Sequence, residues 1–394
     1  MSTSPIQVAE EPTAPVAQHL LRIDPLLLVA SLGLALCSFV TLRTLPAALY
    51  GGDANKQALY IGIGLLGALL VSRFDYSHLR DYRYVLYGLV VVLNVVVFGF
   101  HDVQSSHRWI PFPLFQFQSS EFGKLLLIVS LAGFAVDRAR RLSEHRTMAR
   151  LMLLALVPAM IVMKQPDLGT ALVYVTIACS ILFFLGTGWR NLGALALLFI
   201  VAAVAVLTVA PALGLHLLEG YQKERLTTFI NPPNVCTPTD QTCYQLHQGL
   251  IAIGSGGKTG TGVASASQAS GGFIPEANDD FIFAVVGETY GFAGAAVVLS
   301  LYALIIWRTL RILTMAKNLF GTLIASGVLA MLMFQIFLNI GMTLGIMPVT
   351  GVPLPLLSYG GSSVIVTFLA IGLLESVHVQ ARTASAGKAR VVIV

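Results

Sequence analysis

Ten apolar runs, most of them close to the length of a membrane-spanning helix, follow one another along the chain. A bilayer core about 30 Å thick needs roughly 20 apolar residues in helical conformation. The runs are Leu26–Leu42, Ala58–Val71, Tyr84–Phe100, Glu121–Val136, Leu151–Met163, Leu168–Leu185, Leu192–Leu213, Phe281–Trp307, Phe320–Met347 and Ser363–Leu374. Only 11% of the residues are charged, against about 25% in soluble domains. The sequence therefore predicts an all-α polytopic membrane protein of about ten transmembrane helices, and no nucleic-acid partner.

The distribution of Lys and Arg predicts the orientation of these helices. If the N-terminus is cytoplasmic, 16 of the 24 basic residues fall in inner segments and eight in outer ones. Inner segments of membrane proteins carry the excess of Lys and Arg. We therefore expect a cytoplasmic N-terminal tail (1–25), a ten-helix domain (26–377) and a cytoplasmic C-terminal tail (378–394). Acidic residues remain at the outer ends of several runs, which indicates a polar cavity that opens outward.

The only long segment between runs, Gly214–Asp280, falls on the outer side. Cys236 and Cys243 lie in it, and a disulfide between them is chemically allowed there, the alternative being two free thiols. Its glycine-rich part, Ile253–Gly260, nearly matches a nucleotide-binding loop but has Ala252 where the first glycine should be. A tight re-entrant turn, with amides that can cradle phosphate, is the better interpretation.

An acidic turn ends this segment and leads straight into the eighth apolar run. It contains Glu276, Asn278, Asp279 and Asp280. Asn and Asp commonly cap helices, but one cap needs only one residue. A carboxylate crowded by like charge has a raised pKa and can accept a proton. The residues alone leave both roles open.

Four segments, each at an outer run end, together resemble the SEDS family of membrane glycosyltransferases (shape, elongation, division and sporulation). They are Arg108–Ile110 with Gln118–Lys124, Lys164–Thr170, Ile251–Gly257 with Phe273–Phe283, and Pro353–Ser363. Within the family, Asn339–Gly351 is more similar to the elongation branch than to the division branch.

The resemblance implies a peptidoglycan glycosyltransferase in the bacterial cytoplasmic (inner) membrane. It also implies lipid II as substrate, a class B penicillin-binding protein as transpeptidase partner, and an essential acid at Asp280. An α-linked pyrophosphate donor that gives a β-linked glycan requires inversion, so one base and direct displacement suffice. We expect Asp280 to be that base.

The anionic leaving group requires cations or a metal around it. We expect Mg²⁺ or Mn²⁺ to be held by Asp280, Asp279 or Glu276. The candidate substrate-binding residues are Arg108, Glu121, Lys124, Lys164, Asp167, Lys258, Gln268, Glu276, Tyr359, Ser362 and Ser363. Simpler roles exist for several of these: an interfacial anchor (Arg108), a helix ion pair (Glu121 with Lys124), a closed turn (Lys164 with Asp167), or capping of the last helix (Tyr359, Ser362 and Ser363).

The chain departs from the family pattern at several positions. Asn278-Asp279 stands where His-Thr is usual, and Thr261 stands where a lysine is usual. Either Lys258, three residues earlier, replaces that cation or the contact is missing and Lys258 is a solvated loop charge. Gly123 and Gly249 also replace residues more usual in the family. A lipid-precursor flippase and a non-catalytic scaffold are the competing classes. No inverted repeat supports a transporter, and a scaffold would not need the acidic turn.

Overall fold

The computed structural model describes residues 22–46, 49, 53–99, 109–111, 116–138, 145–205, 220, 225, 228–229 and 241–391. Its helices are α1 (Pro25–Leu42), α2 (Ala54–Arg73), α3 (Arg83–Val96), α4 (Ser119–Val136), α5 (His145–Lys164), α6 (Leu168–Phe184), α7 (Trp189–Val204), α8 (Gln241–Gly256), α9 (Ser267–Ser270), α10 (Ile282–Met315), α11 (Leu319–Thr343) and α12 (Gly361–Val391). Tyr76–Arg80 and Val97–Gly99 form 3-10 turns. A short antiparallel hairpin, β1 (Trp109–Pro111) and β2 (Gln116–Gln118), leads into α4.

Ten of these helices correspond to the ten apolar runs. Seven are long and apolar enough to cross a membrane: α1, α2, α4, α5, α10, α11 and the Gly361–Ser385 part of α12. The other three, α6, α7 and α3 with its following 3-10 turn, are shorter apolar helices. The prediction of an all-α membrane protein of about ten helices is confirmed. The helix α5 begins at His145, six residues before its apolar run, and is continuous through Pro158, while α12 continues far past Leu374.

The middle of the helix bundle is formed by α11 and α12. Their side chains are buried on nearly every side, and α12 packs along α2 while α11 packs along α6. Peripheral helices instead expose large apolar side chains, for example Leu26, Val29 and Leu36 on α1. A helix that is apolar all round either lies in a core or faces lipid. The exposed apolar faces therefore suit a lipid environment.

The helix α10 is interrupted at Gly291, and the glycine-rich turn that follows α8 hydrogen-bonds to the backbone groups at this break. Gly291 has φ +63° and ψ −160°, which interrupts the helix and is a conformation that favours glycine. Four N–H···O=C bonds join residues 257–262 to residues 288–293. They run from Thr261 N to Glu288 O (2.9 Å), Gly262 N to Thr289 O (3.1 Å), Phe292 N to Gly257 O (2.9 Å) and Ala293 N to Lys258 O (3.1 Å). Backbone groups at membrane depth must find such partners inside the protein.

The expectation that amides of Ile253–Gly260 cradle phosphate is wrong for Gly260, whose N–H donates to Gly256 O at 2.8 Å. The next two amides, of Thr261 and Gly262, donate to carbonyls of α10. Each backbone N–H supplies only one donor, so these three amides bind the protein backbone instead of a ligand.

Gly123, one of the departures from the family pattern, makes room for a buried tyrosine. A Cβ at position 123 would lie 2.0 Å from the Tyr174 hydroxyl oxygen and 3.2 Å from its ring carbon Cζ. That hydroxyl donates to Ser120 O at 3.0 Å and accepts from Asn94 Nδ2 at 3.5 Å. The glycine and the tyrosine thus form one packing unit between α4 and α6.

Gly123→Ala should destabilise the protein, although Gly→Ala inside a helix ordinarily stabilises by up to about 1 kcal/mol. The added methyl group overpacks the contact with Tyr174, which costs about 1–3 kcal/mol. Tyr174→Phe in the same background should restore part of the loss, because the clashing oxygen is gone. Thermal unfolding in detergent measures both effects. Gly88→Ala in α3 is the matched control, since nothing lies within 4 Å of a Cβ there. Equal effects at positions 88 and 123 would contradict the packing explanation.

Several sequence predictions lie outside the described residues. They concern most of the N-terminal tail, Arg108 and Cys236. Cys243 is disulfide-bonded, whereas Cys37 and Cys179 are free thiols.

Candidate functional site

The turn that carries Asp280 is fixed through its backbone. Asp279 N and Phe281 N both donate to Glu276 O, at 3.1 and 3.3 Å, and Glu276 adopts a left-handed φ of 51°. From α11, the Asn339 amide donates to Asp280 O at 2.9 Å and to Val352 O at 2.8 Å. A buried asparagine thereby joins the acidic turn to the segment after α11.

None of the acidic side chains in this turn caps the N-terminus of α10. The N-cap residue of α10 is Phe281, and no side chain hydrogen-bonds to the free amides of that helix end. The capping role left open by the sequence is therefore not the one that the structure shows. The carboxylates of Asp279 and Asp280 are available for chemistry.

The Asp280 carboxylate lies between an amide and a guanidinium. Asp280 is only 6% exposed, and Gln245 Nε2 on α8 donates to its Oδ1 at 3.4 Å. Gly351, with φ +71°, borders the other side. A Cβ built on Gly351 would lie 3.4 Å from Arg225 Nη1 and 3.8 Å from Asp280 Oδ2. The glycine thus leaves open a small space that both the cation and the carboxylate face.

Burial raises the pKa of Asp280 to about 7, with the positive charge of Arg225 acting in the opposite direction and the negative charge of Glu276 adding to the rise. Burial also raises the pKa of Asp279 well above its usual range, and the charges of Glu276 and Asp280 raise it further. A carboxyl group with a pKa near neutrality can both accept and release a proton under physiological conditions. Asp280 is thus suited to act as a general base.

The irregular segment between α11 and α12 encloses the acidic turn. Tyr359 N donates to Asn278 O at 2.8 Å, and the Ser358 hydroxyl donates to Asp279 O. Gln57 of α2 supports this segment from behind by donating to Ser358 O at 3.1 Å. Irregular backbone is tolerated at membrane depth where protein buries it. Of the predicted residues in this segment, Tyr359 contacts the acidic turn directly through its backbone.

A largely apolar cavity of about 300 Å³ is bordered by Arg225, the cation near Asp280. Arg225 supplies a cation to its wall. The remaining lining residues are Pro166, Leu168, Leu172, Phe334, Leu338, Met347, Pro348, Val349 and Thr350. Such a cavity suits an amphiphilic molecule with an anionic head group, because Arg225 can bind the head group and the apolar wall can contact the hydrocarbon part.

A second polar cluster, centred on Asp167, lies on the other side of the Thr350–Val352 segment. Asp167 caps α6 by accepting from Thr170 N at 3.0 Å, and its Oδ2 accepts from Gln118 Nε2 and Ser120 Oγ, both at 3.4 Å. Gly169 packs against Val352 so tightly that a Cβ would lie 2.3 Å from Val352 Cγ2. The two clusters are therefore neighbours through the backbone of one segment.

Glu121 and Lys124 form the helix ion pair that the sequence allowed, but in a buried position. Lys124 Nζ lies 2.6 Å from Glu121 Oε1, and the two side chains are only 1–2% exposed. Removing one partner of a buried ion pair leaves an uncompensated charge and costs about 3–5 kcal/mol. Ser362 connects the same region to the hairpin, since it accepts from Gln118 N and donates to Gln116 O, both at 2.9 Å. Ser363 is buried in the first turn of α12.

Three predicted residues are not brought to Asp280. The Lys258 carbonyl is bonded to Ala293 N, which lies about 16 Å along α10 from its first residue, and its side chain is exposed. Gln268 meets α10 by donating its backbone N–H to Glu288 at 2.8 Å. Lys164 is exposed at the end of α5. The prediction that Lys258 replaces the missing family lysine beside the acid is not supported, because Arg225 occupies that place.

The residues that sequence reasoning missed come from distant parts of the chain. Gln245 and Asn339 are polar residues next to apolar stretches, and a polar group within an apolar helix signals function. The sequence indicates Arg225 only as one of the eight basic residues that the predicted orientation places in outer segments. Among the described residues, no group of three or more His, Cys, Asp or Glu side chains is arranged to hold a metal ion.

Fold and site together define a polytopic membrane protein with a buried acid, a cation and an apolar cavity at one end of its helix bundle. Residues 23–383 match the family model of the FtsW, RodA and SpoVE proteins, described as cell cycle protein. The chain belongs to this family.

Several characterised proteins are similar along most of their length. The chain is 33% identical over 361 residues to the peptidoglycan glycosyltransferase MrdB of Escherichia coli K12, covering 91% of this chain and 94% of that one. It is 37% identical over 337 residues to a probable peptidoglycan glycosyltransferase FtsW of Thioalkalivibrio sulfidiphilus, covering 82% and 80%.

Two solved structures share the fold. One is a chain of a structure described as structural coordination of polymerization and crosslinking by a peptidoglycan synthase complex. Its TM-score is 0.74 and its identity 30%, with 91% of this chain and 98% of that one covered. The other is the rod shape determining protein RodA of Thermus thermophilus, with a TM-score of 0.63, 28% identity, and coverage of 90% and 96%.

Proposed function

We propose that this chain, a RodA-like peptidoglycan glycosyltransferase, polymerises lipid II with Asp280 as the general base of an inverting displacement. The activity and the RodA-like assignment agree with the names of its relatives. The observation that carries the catalytic assignment is the buried Asp280 carboxylate, which has a pKa of about 7 and faces the same small space as Arg225.

In this proposal Asp280 Oδ2 accepts the proton of the acceptor's sugar hydroxyl as that oxygen attacks the donor sugar. Gln245 holds the other carboxylate oxygen, and Asn339 holds the backbone carbonyl. A base held in this way needs little reorientation to reach the transition state. A positioned general base contributes about 10²–10⁴-fold to the rate. The bond from the donor's anomeric carbon to its pyrophosphate breaks as the new glycosidic bond forms.

Arg225 is the proposed cation for the pyrophosphate leaving group. A guanidinium binds two phosphate oxygens at once in a fixed planar geometry. The apolar cavity that Arg225 borders offers a wall for the polyprenyl chain attached to that pyrophosphate. The carboxylate and the cation thus divide the two tasks that the reaction requires.

A divalent cation, Mg²⁺ or Mn²⁺, remains a proposal. Because no group of three candidate ligands is found among the described residues, the protein would have to hold such an ion with one or two of the carboxylates of Glu276, Asp279 and Asp280. Mg²⁺ commonly binds in this way, completed by substrate phosphates and water. When bound, it would neutralise charge on the leaving group.

Purified chain in detergent, incubated with fluorescent lipid II, tests the proposed function. The expected result is glycan polymer in the absence of any other polymerase. A chain that binds lipid II but forms no polymer, alone or with a transpeptidase partner, would instead favour a flippase or a scaffold.

A class B penicillin-binding protein is the proposed partner. The similarity to a chain of a peptidoglycan synthase complex, in which polymerization and crosslinking are coordinated, supports a partner that crosslinks. Co-purification with such a transpeptidase from the same membrane tests this point.

The chain is a membrane protein, and we propose that both termini face the cytoplasm while Asp280 faces outward, as the Lys and Arg distribution predicts. Ser265 and Arg311 are exposed near opposite ends of the bundle. In intact spheroplasts, a membrane-impermeant maleimide should label Ser265→Cys at once and Arg311→Cys only after lysis. The reverse pattern would overturn the orientation and move the site to the wrong side for lipid II polymerisation.

The polymerisation rate should depend on the ionisation of Asp280. Since a general base must be deprotonated, the rate should rise with pH and level off above about 7. Below that pH, the loss should approach about tenfold per unit. Initial rates over a pH series, at lipid II concentrations well below KM so that they report the free enzyme, provide the measurement. A rate that is flat from acidic to neutral pH would exclude Asp280 as the titrating base.

A further inference from the structure

A buried polar cluster joins α1, α10 and α12 at the end of the bundle opposite Asp280. Asp24 caps α1 by accepting from Leu26 N and Leu27 N, and it forms an ion pair with Arg308 of α10, whose Nε lies 2.7 Å from Asp24 Oδ2. The Asp24 N–H in turn donates to Glu375 Oε2 of α12 at 2.9 Å. Asp24 is fully buried and Glu375 is 3% exposed.

Three polar atoms of this cluster have no hydrogen-bond partner among the residues that the structure describes. They are Glu375 Oε1 and both ring nitrogens of His378. His378 is 1% exposed and follows Glu375 by three residues, so the two side chains lie on the same face of α12. A buried polar atom without a partner costs about 1–3 kcal/mol, and a shared hydrogen bond would remove this cost at both residues.

Burial of the Glu375 carboxyl group, which is only 3% exposed, favours its neutral form. Asp24 and Arg308 already neutralise each other, so an ionised Glu375 adds an unbalanced negative charge next to Asp24. The other charged groups near this end are more exposed: Arg22, bonded to Thr383 (2.9 Å), Arg382, and Lys317 with Asp75 (3.8 Å). From the turn after α2, the backbones of Phe74 and Tyr76 hydrogen-bond to Ser376 of α12.

We propose that Glu375 is protonated in the folded protein and shares this proton with a neutral His378, directly or through one water, forming a pH-sensitive clamp between α1, α10 and α12. Loss of the proton leaves a second buried carboxylate beside that of Asp24, and this charge destabilises the junction of α1, α10 and α12. The clamp is independent of the polymerisation chemistry, which takes place at the other end of α10 and α12.

The sign of the pH effect follows from proton counting. In an unfolded chain, glutamate titrates near pH 4.3 and histidine near pH 6.5. Between these values the folded and unfolded pairs each hold one proton, so this pair contributes no pH dependence. Above about pH 6.5 the unfolded pair holds none and the folded pair holds one. Stability should therefore fall with rising pH, by up to about tenfold in the unfolding equilibrium constant per unit, until Glu375 is ionised.

Infrared difference spectra between about pH 6.5 and alkaline pH test the protonation state. Purified chain in lipid nanodiscs should lose a protonated-carboxyl band on alkalinisation, and Glu375→Gln should lack one such band. Asp280→Asn is the matched control: it removes the contribution of the outer acid and leaves the Glu375 band unchanged. Identical carboxyl spectra for wild type and Glu375→Gln would overturn the proposal.

Hydrogen–deuterium exchange at the Asp24 amide tests the clamp itself. In the wild type, its exchange should accelerate above about pH 6.5 by more than the intrinsic tenfold per unit, whereas in Glu375→Gln the excess should vanish. If Glu375→Gln does not fold, His378→Gln serves instead, and its carboxyl band should persist because Glu375 still holds the proton. An Asp24 amide with no excess acceleration in wild type would contradict the clamp.

Discussion

Asp280→Asn should reduce lipid II polymerisation by about 10²-fold or more while leaving the fold intact. The amide keeps the volume of the carboxyl group and can still contact Gln245, but it cannot accept the sugar hydroxyl's proton. The contact from Asn339 goes to the backbone of Asp280 and is unaffected. Initial rates with fluorescent lipid II, together with thermal unfolding of the same preparation, provide the measurement.

Asp279→Asn is the control for this result. Asp279 is the extra carboxylate of this chain, and its pKa is raised well above the usual range by burial and by its acidic neighbours. The Gln245 amide and the Arg225 guanidinium flank the carboxylate of Asp280, so we assign the base to Asp280 and expect Asp279→Asn to retain most of the activity. An inactive Asp279→Asn beside an active Asp280→Asn would transfer the catalytic role to Asp279.

Arg225→Ala should lower the polymerisation rate about tenfold or more. Charge-assisted hydrogen bonds contribute about 1.5–3 kcal/mol, and each 1.36 kcal/mol corresponds to a factor of ten in rate. The variant should also shift the pH profile to higher pH, because the charge of Arg225 lowers the pKa of Asp280. Polymerisation rates across a pH series measure both effects at once.

Lys258→Ala is the matched comparison, since it removes a cation that is exposed and bonded through its backbone to the far side of the α10 break. We expect its rate to stay within about twofold of wild type, with no shift in the pH profile. Arg225→Lys should recover only part of the activity, because an ammonium cannot reproduce the two parallel bonds of a guanidinium. A large loss in Lys258→Ala with a normal Arg225→Ala would return the role to the lysine.

The difference between Arg225 and Lys258 shows that motif spacing does not predict which cation lies beside the acid in the folded protein. Lys258 lies three residues before Thr261, the position where the family usually has lysine, so proximity in sequence made it the natural substitute. In the structure, the backbone of residues 257–262 hydrogen-bonds to α10 at the break at Gly291. Arg225 lies between α7 and α8 in the sequence, and the structure places its guanidinium beside Gly351 and near Asp280.

The membrane fold and the principal acid were determined by the sequence itself. Most apolar runs approach the length of a membrane-spanning helix, and in lipid the backbone groups of a helix can bond only within their own segment. The ten helices therefore follow from local composition. The acidic turn before α10 was visible because four polar residues exceed what one helix cap needs. These features depend on near neighbours in the chain, which sequence patterns record.

Only the tertiary structure decided which groups surround that acid and what their environment does to it. Gln245, Asn339, Gly351 and Arg225 meet Asp280 across long separations, and no local pattern encodes such pairings. The raised pKa of Asp280 comes from burial by helices that pack around it. Likewise, Glu375 and His378 follow the last apolar run at the predicted boundary between the membrane domain and the C-terminal tail, but the packing of α12 against α1 and α10 buries them. Burial and long-range contact are properties of the packed bundle, since desolvation arises only when distant segments exclude water together.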